Sequence, residues 1–245
     1  MTEKIKLGVI GMSEGNGHPY SWSAIMNGYT SVMEECPFPA IPAYLKQEAY
    51  PNNFINNALV THVWTQDLQV SHHIAKSAKI ANVCADKLEM LSEVDGVLLA
   101  RDDAENHMGF AKEFIQAGLP IYIDKPVAHS MKNLDTLLSW QQYEGQLFTC
   151  SALRYADELM LSVAEQEELG DLRMINAVTP KSWEKYAVHI IEPLVARFGP
   201  FELDKIHTTN TREVRQLTGI LNERTKVNLT SVGNTAHPIQ LEFVG

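Results

Sequence analysis

The chain has 245 residues, 45% hydrophobic and 20% charged, which is an ordinary globular composition with room for one large or two modest domains. Its formal net charge of −10 argues against a nucleic-acid partner, because phosphate backbones are bound by basic surfaces. The 3 cysteines are widely spaced and indicate neither a disulfide framework nor a zinc site. Without a signal-type segment or an apolar run of membrane-spanning length, the chain is expected to be cytoplasmic, with no membrane or metal partner.

The chain begins with a strand (5–10), a glycine-rich turn and a helix (21–29, with Ser21 as its cap), the order that opens a dinucleotide-binding domain. The turn lacks the usual G-x-G-x-x-G spacing. Either it still binds a pyrophosphate at the helix N-terminus, or it has been rebuilt for another ligand; we favour the first reading. The candidate cofactor contacts here are Gly11, Ser13, Gly15, Asn16, Gly17 and His18.

Prolines crowd the stretch 36–57, which is predicted to be an insertion with a short helical turn at 44–48. It would serve as a lid, an oligomer contact or a surface loop. The second strand (60–64) leads to Asp67, where an acid holds the adenosine ribose in dinucleotide folds; an Asp that caps the next helix gives the same pattern. His72 and His73 on that helix (68–78) are interpreted as surface histidines rather than metal ligands.

A βαβ unit of parallel-sheet type occupies the middle of the chain. Its predicted parts are a strand (96–100), a polar turn (101–103), a helix (104–117, capped by Asp103 and ended by Gly118) and a strand (121–123) that runs into Asp124-Lys125-Pro126. Ligands of open α/β sheets bind beyond the carboxyl ends of the strands. Arg101, Asp102 and Lys125 are therefore expected to face one crevice.

A helix (131–143) and a strand (146–152) are predicted to complete a doubly wound parallel sheet, so residues 1–152 form a dinucleotide-binding domain. Residues 153–245 are predicted to form a smaller α+β domain with a mostly antiparallel sheet. Its predicted elements are a helix over 156–169 and strands over 172–178, 205–209, 227–232 and 239–244.

A second group of reactive side chains lies on a helix predicted over 183–198. His189 and Glu192 are three residues apart and share one face of that helix, and Lys185 precedes His189 by four. Oxidation of a carbinol needs a group that accepts the hydroxyl proton and a cation near the oxygen. His189 as the base and Lys125 as the cation meet this need; the alternative is a surface histidine paired with Glu192.

Both segments resemble signatures of the Gfo/Idh/MocA oxidoreductase family. In that family a strand, a polar turn with a His, and a helix ending in Ala-Gly precede a strand that ends in Glu-Lys-Pro. His107 occupies the position of that His, and Asp124 stands where the family has Glu. The second signature places an acid four residues before a His; His189 matches the His, Lys185 replaces the acid, and 186–192 is similar to a Tyr-Gly-x-His-x-x-Glu version.

The resemblance implies hydride transfer between NAD or NADP and a sugar, cyclitol or related polyol. An exposed face of the sheet in the second domain would favour a homo-oligomer (dimer or tetramer). The resemblance implies catalytic roles for Lys125 and His189. It implies cofactor contacts from Arg101, Asp102, His107, Lys125 and Pro126, and substrate contacts from Arg154, Tyr155, Lys185 and Glu192. Two alternatives stay open: a non-catalytic nucleotide- or sugar-binding protein on the same fold, and an oligomeric scaffold.

Overall fold

The computed structural model describes residues 4–48 and 52–245. The chain divides into two compact units, Met1–Thr149 and Cys150–Gly245. The boundary predicted from the sequence, between residues 152 and 153, lies three residues farther along the chain than this division.

A six-stranded parallel sheet forms the centre of the first unit. Its strands are β1 (Ile5–Ile10), β2 (Ala58–Trp64), β3 (Asn82–Val83), β4 (Gly96–Leu99), β5 (Ile121–Ile123) and β6 (Leu147–Phe148). They pair in the order β3-β2-β1-β4-β5-β6, so that the chain winds outward in both directions from β1. This order confirms the predicted Rossmann-type sheet and creates a crevice at the carboxyl ends of β1 and β4.

The helices of the first unit are α1 (His18–Asn27), α2 (Ala40–Leu45), α3 (Leu68–Ser77), α4 (His107–Gln116) and α5 (Met131–Ser139), with 3₁₀ helices at Ser31–Glu35 and Lys87–Ser92. Their apolar faces cover the sheet in two buried clusters. Val9, Ala24 and Ile74 belong to the cluster that contains α1 and α3, and Leu99 and Phe114 belong to the one that contains α4. The rigid sheet therefore fixes where each loop at its carboxyl edge starts.

The predicted starts of α1 and α4 were wrong. α1 begins at His18 rather than at Ser21, because Pro19 supplies the fixed φ of a first helical turn. α4 begins at His107, after Asn106, and not at residue 104 with Asp103 as its cap. The Asp103 carboxylate instead accepts hydrogen bonds from the side chains of Arg101 and Asn106.

The proline-rich insertion is part of the core of the first unit. Cys36, Ile41, Leu45 and Phe54 are buried in the same cluster as α1. The helical segment that the sequence places at 44–48 is α2, which starts four residues earlier at Ala40. Pro51 and the two residues before it lie outside the described residues.

The second unit contains a five-stranded sheet and three helices. These are β7 (Met174–Thr179), β8 (Asp204–Asn210), β9 (Arg215–Leu221), β10 (Thr225–Ser231), β11 (Gln240–Val244), α6 (Val163–Leu169), α7 (Trp183–Tyr186) and α8 (Val188–Phe198), with 3₁₀ helices at Ala152–Tyr155 and Asp157–Leu159. The strand order is β11-β7-β10-β9-β8, and only the β7–β10 pair of this sheet is parallel. The predicted mostly antiparallel sheet is thus confirmed.

Three details of this unit differ from the sequence prediction. β9 was missed, because Gly219 interrupts its alternating pattern; the glycine lies against Leu203, where a Cβ would come within 2.9 Å. The helix predicted from residue 156 begins only at Val163, where Ser162 and Glu165 form a capping box. The helix predicted over 183–198 is two helices that meet at Ala187.

Candidate functional site

The turn between β1 and α1 is fastened to the ends of neighbouring strands by side-chain hydrogen bonds. Ser13 Oγ lies 2.7 Å from Asp102 Oδ1 and accepts the backbone N–H of Asp102 at 3.1 Å. Gln66, after β2, pairs with Met12 through two hydrogen bonds of 2.8 Å, from the Met12 N–H to Oε1 and from Nε2 to the Met12 carbonyl. The turn is therefore held from two sides.

Asp124, directly after β5, receives hydrogen bonds on both carboxylate oxygens and is only 1% exposed. Its Oδ2 accepts Asn16 Nδ2 at 2.8 Å and lies 2.6 Å from His18 Nδ1. Its Oδ1 accepts the backbone N–H of Lys125 at 2.8 Å. A buried carboxylate needs this number of partners, because burial of an unpaired charge is costly.

Lys125 and Pro126 follow β5 at the carboxyl edge of the sheet, as predicted. Lys125 is 8% exposed, and its Nζ lies 3.9 Å from Asp124 Oδ1. The buried carboxylate offsets part of the cost of holding an ammonium group in so enclosed a place. The lysine is therefore fixed near the ends of β1, β4 and β5 and is not a solvated turn residue.

Arg101 and His107 hold the loops of this edge together. The Arg101 guanidinium binds the Asp103 carboxylate and donates to the Met12 carbonyl at 3.0 Å, and it lies over the Phe110 ring. His107 is fully buried; its Nδ1 lies 3.0 Å from the Val127 carbonyl and its Nε2 lies 2.8 Å from the Arg101 carbonyl. Cofactor contact by either residue stays a prediction.

The carboxylate of Asp103 shows the electrostatic effect of this arrangement. Burial raises the pKa of Asp103, but hydrogen bonds from Arg101 and Asn106 and the positive charge of Arg101 outweigh burial and leave the pKa below its usual value. The side chain therefore stays ionised and keeps Arg101 in place.

The three glycines of the turn serve different purposes. A Cβ at Gly11 would lie 2.5 Å from Pro19 Cγ, and one at Gly17 would lie 2.5 Å from Ile41 and 2.7 Å from Phe38. Gly15 has a φ of +74°, and a Cβ there would meet no atom within 4 Å. Gly11 and Gly17 thus permit close packing, whereas Gly15 permits a left-handed turn at an open position.

These features fit a dinucleotide. α1 is ten residues long, so its dipole favours a phosphate at its N-terminus. In its first turn, His18 donates its N–H to Asn16 Oδ1, Pro19 has no N–H, and the N–H groups of Tyr20 and Ser21 bind the Gly17 carbonyl. Gly15 leaves space beside this N-terminus. Asp67, at the end of β2, accepts the Gln69 N–H and thereby caps α3; the predicted ribose contact stays a prediction. Ser13 and Asn16 are buried, and their side chains bind Asp102 and Asp124 at the ends of neighbouring strands.

In the second unit, His189 lies in the first turn of α8. Its Nδ1 is 2.7 Å from Ser151 Oγ, and its ring meets Tyr186 edge-on at 4.9 Å between centroids. Ser151 is fully buried. The histidine is held by two neighbours rather than exposed on a helix surface.

Glu192 lies one turn after His189, as predicted. Burial raises the pKa of Glu192. A hydrogen bond from the Ser151 backbone and the charge of Arg154 lower the pKa, but by less than burial raises it, so it remains above its usual value. Arg154 Nη1 is 3.8 Å from Glu192 Oε2. Arg154, Glu192 and His189 are thus brought together within this unit, whereas Tyr155 is 64% exposed, and Lys185 lies on α7.

Several residues of these sites were not selected from the sequence. The sequence indicates Asp124 only as the replacement of a family Glu, although its place at a strand end beyond the glycine turn is a usable signal. Gln66 and Ser151 gave no comparable signal, since polar residues after strands are common.

The described residues contain neither a cluster of metal ligands nor a membrane-spanning helix. Over 4–48 and 52–245, no three His, Cys, Asp or Glu side chains are grouped as a metal site would require. Within the same ranges, no helix has the length and apolar character needed to cross a membrane.

Comparison with known proteins gives one family and a set of similar folds. Apo scyllo-inositol dehydrogenase from Lactobacillus casei matches with a TM-score of 0.72 at 15% identity, over 99% of this chain and 73% of that chain. The same enzyme with bound NAD(H) and scyllo-inositol matches with a TM-score of 0.66 at 16% identity, over 99% and 74%. UDP-N-acetylglucosamine 3-dehydrogenase from Acidithiobacillus ferrooxidans also gives 0.66 at 16% identity, over 99% and 74%.

These identities establish a shared fold only. No curated protein sequence matches the chain. The model of the oxidoreductase family with an NAD-binding Rossmann fold, Gfo/Idh/MocA, matches residues 5–150, which is more than half of the chain. The chain therefore belongs to the Gfo/Idh/MocA oxidoreductase family, whose Rossmann fold binds NAD.

Proposed function

We propose that this protein is an NAD(P)-dependent oxidoreductase that transfers hydride between a nicotinamide cofactor and a hydroxyl-bearing carbon of a sugar, cyclitol or related polyol. The observation that carries the proposal is Lys125, enclosed at the end of β5 beside the buried carboxylate of Asp124, in a chain of an NAD-binding family. The similarity in fold to dehydrogenases of inositol and of a nucleotide sugar supports the substrate class.

The cofactor, when bound, supplies the hydride acceptor or donor. The residues of the chain bind and orient it. The α1 N-terminus and the open position at Gly15 would receive the pyrophosphate, and Asp67 would bind the adenosine ribose, which favours NAD over NADP.

The reacting carbinol needs a cation and a proton acceptor. Lys125 would place its ammonium beside the substrate oxygen and stabilise the alkoxide character that develops there. The sequence indicates His189 as the proton acceptor, and its contacts with Ser151 and Tyr186 support a fixed imidazole. Substrate contacts are proposed for Arg154, Tyr155, Lys185 and Glu192.

We also propose that the protein is a homo-oligomer, a dimer or a tetramer. β8 forms one edge of the sheet in the second unit and is exposed at each of its residues, which suits pairing with a second copy. Sedimentation velocity across a range of concentrations tests this, and a monomer at all of them would contradict it.

The test of function begins with calorimetric titration of NAD⁺, NADH, NADP⁺ and NADPH, followed by a panel of inositols, aldoses and nucleotide sugars with the pair that binds. We expect NAD(H) to bind and at least one member of the panel to be oxidised. Lys125→Met should lower kcat about 10²–10³-fold, as loss of an oxyanion-stabilising group does. His189→Ala should also lower kcat, whereas Lys132→Met, on the exposed side of α5, should not.

Absence of binding by all four cofactors at millimolar concentration, in folded protein free of copurified nucleotide, would reject the proposal. It would favour the non-catalytic binding protein, in which the turn at 11–17 holds a different ligand. Binding without turnover by the panel would reject the substrate class and retain the cofactor.

A further inference from the structure

His18 and Asp124 form a hydrogen-bonded pair beside Lys125, all within the first unit. The distance from His18 Nδ1 to Asp124 Oδ2 is 2.6 Å, which is short and typical of a charge-assisted bond. The other oxygen of Asp124, Oδ1, accepts the Lys125 backbone N–H and lies 3.9 Å from Lys125 Nζ. One buried carboxylate thus contacts both an imidazole and the lysine of the proposed reaction.

The partners of Asp124 determine which ring nitrogen of His18 carries the proton. Asn16 Nδ2, the Lys125 backbone N–H and His18 Nδ1 all point to its two oxygens. A carboxylate with donors on both oxygens acts as an acceptor, so Nδ1 is the protonated nitrogen of the neutral ring. Nε2 then carries the lone pair, which is the form that a general base needs.

His18 is held in one orientation from three directions. Its backbone N–H donates to Asn16 Oδ1 at 2.8 Å, and Asn16 in turn donates to Asp124, so the three residues close a ring. Its imidazole stacks on Trp22 with 4.7 Å between centroids and 14° between planes. A group fixed in this way loses little conformational freedom when it reacts.

His18 is also accessible. Its side chain is 34% exposed, whereas that of Asp124 is 1% exposed. The imidazole borders a hollow of about 430 Å³ between α1 and the proline-rich insertion, where Trp22, Phe38 and Tyr44 form apolar and aromatic walls. The imidazole is therefore within reach of a small molecule.

We propose that His18, oriented by Asp124, is the acid–base residue of the reaction. This inference rests on the proposed function and assigns the proton acceptor to His18 rather than to His189. In oxidation, the carbinol loses its C–H electron pair as hydride to the oxidised nicotinamide, which is reduced, and its O–H proton to Nε2 of His18. The carbonyl forms as both bonds break, and the imidazolium is stabilised by Asp124. In reduction, the same proton returns from Nε2 to the oxygen.

Chemical rescue distinguishes this role from a structural one. His18→Ala should lower kcat about 10²–10⁴-fold, the usual contribution of a general base, while NAD(H) affinity stays within a few fold. Free imidazole should restore a large part of the lost rate in proportion to its concentration, since it supplies the missing base. His72→Ala, which removes an exposed histidine of α3, is the matched control and should leave kcat unchanged. His189→Ala should gain nothing from imidazole.

A second measurement does not depend on turnover. Long-range ¹H–¹⁵N correlation of the wild type, with His18 assigned by its loss in His18→Ala, should show that the neutral ring carries its proton on Nδ1 and not on Nε2. Asp124→Asn should change this tautomer distribution and lower kcat with little change in cofactor affinity, as expected for a positioning residue.

The results separate the two proposals. Turnover by the wild type with unchanged kcat in His18→Ala would overturn the role of His18 and keep the oxidoreductase. Rescue of His189→Ala, but not of His18→Ala, by imidazole would return the role to His189. A neutral ring whose proton lies on Nε2 in the wild type would also overturn the inference. Failure of the wild type to bind any nicotinamide cofactor would reject the proposed function and this inference together.

Discussion

Ser13 and Asp102 link the glycine turn to the end of β4 by two hydrogen bonds, one from the hydroxyl to Oδ1 at 2.7 Å and one from the Asp102 backbone N–H to the hydroxyl at 3.1 Å. The hydroxyl is thus donor and acceptor at once, and Ser13 is buried. A turn without the usual glycine spacing can keep a defined shape because such links replace the compact geometry of the usual motif.

Ser13→Ala should therefore destabilise the protein and loosen the turn. The change leaves the Asp102 N–H and carboxylate without this partner, which costs about 2 kcal/mol of unfolding free energy for a buried site. Urea denaturation measures the loss, and NAD(H) titration should show weaker binding because the turn is no longer fixed. Ser92→Ala, at an exposed serine, should change stability by less than about 0.5 kcal/mol. Equal stabilities of the two variants would contradict a structural role for the link.

Gly17 lets the turn pack against the proline-rich insertion. An added Cβ would lie 2.5 Å from Ile41 and 2.7 Å from Phe38, so Gly17→Ala should cost about 1–3 kcal/mol through overpacking. Gly109→Ala is the opposite case, because that glycine lies inside α4 and a Cβ there would meet no atom within 4 Å. It should raise stability by about 0.5–1 kcal/mol. Thermal unfolding of both variants gives the comparison, and a neutral Gly17→Ala would mean that the insertion moves aside.

The sequence predicts those parts of the fold that depend on neighbouring residues. The bounds of β1 and β5 follow from short apolar runs, and both are found at the predicted residues, 5–10 and 121–123. Lys125 follows from its place after β5. These predictions depend on neighbouring residues, where chain geometry leaves few alternatives.

The contacts of the candidate site that the sequence does not predict depend on residue pairs that are distant in the chain. Asn16 and Asp124 are 108 positions apart, and no local pattern indicates that they form a hydrogen bond. The role of Asp103 is a similar case: it has the spacing of a helix cap, but Arg101 competes for its carboxylate through a charge-assisted bond. A tertiary ion pair here outweighs a local preference.

Asp67 combines a capping role with a proposed cofactor role, and substitution can separate them. Asp67→Ser keeps a side-chain acceptor for the Gln69 N–H and should leave stability within about 0.5 kcal/mol, whereas Asp67→Ala should cost about 1 kcal/mol. If the carboxylate binds the ribose, both variants should lose NAD affinity, and the loss for NADP should be smaller. Calorimetry with both cofactors decides this. Unchanged NAD affinity in both variants would leave capping as the role of Asp67.

Glu192 is expected to make stability depend on pH. Its folded-state pKa is raised, with burial as the largest cause, so the protonated form is favoured by folding. This contribution is present below the ordinary Glu pKa of about 4.3 and is lost as pH rises through the folded-state pKa.

Glu192→Gln imitates the protonated form and should raise Tm at pH 7 by about 2 °C but not at pH 4. Glu168→Gln, on the exposed face of α6, should leave Tm nearly unchanged at both values. A lower Tm for Glu192→Gln at pH 7 would mean that the charge of Arg154 and the Ser151 N–H stabilise the ionised carboxylate more than burial disfavours it.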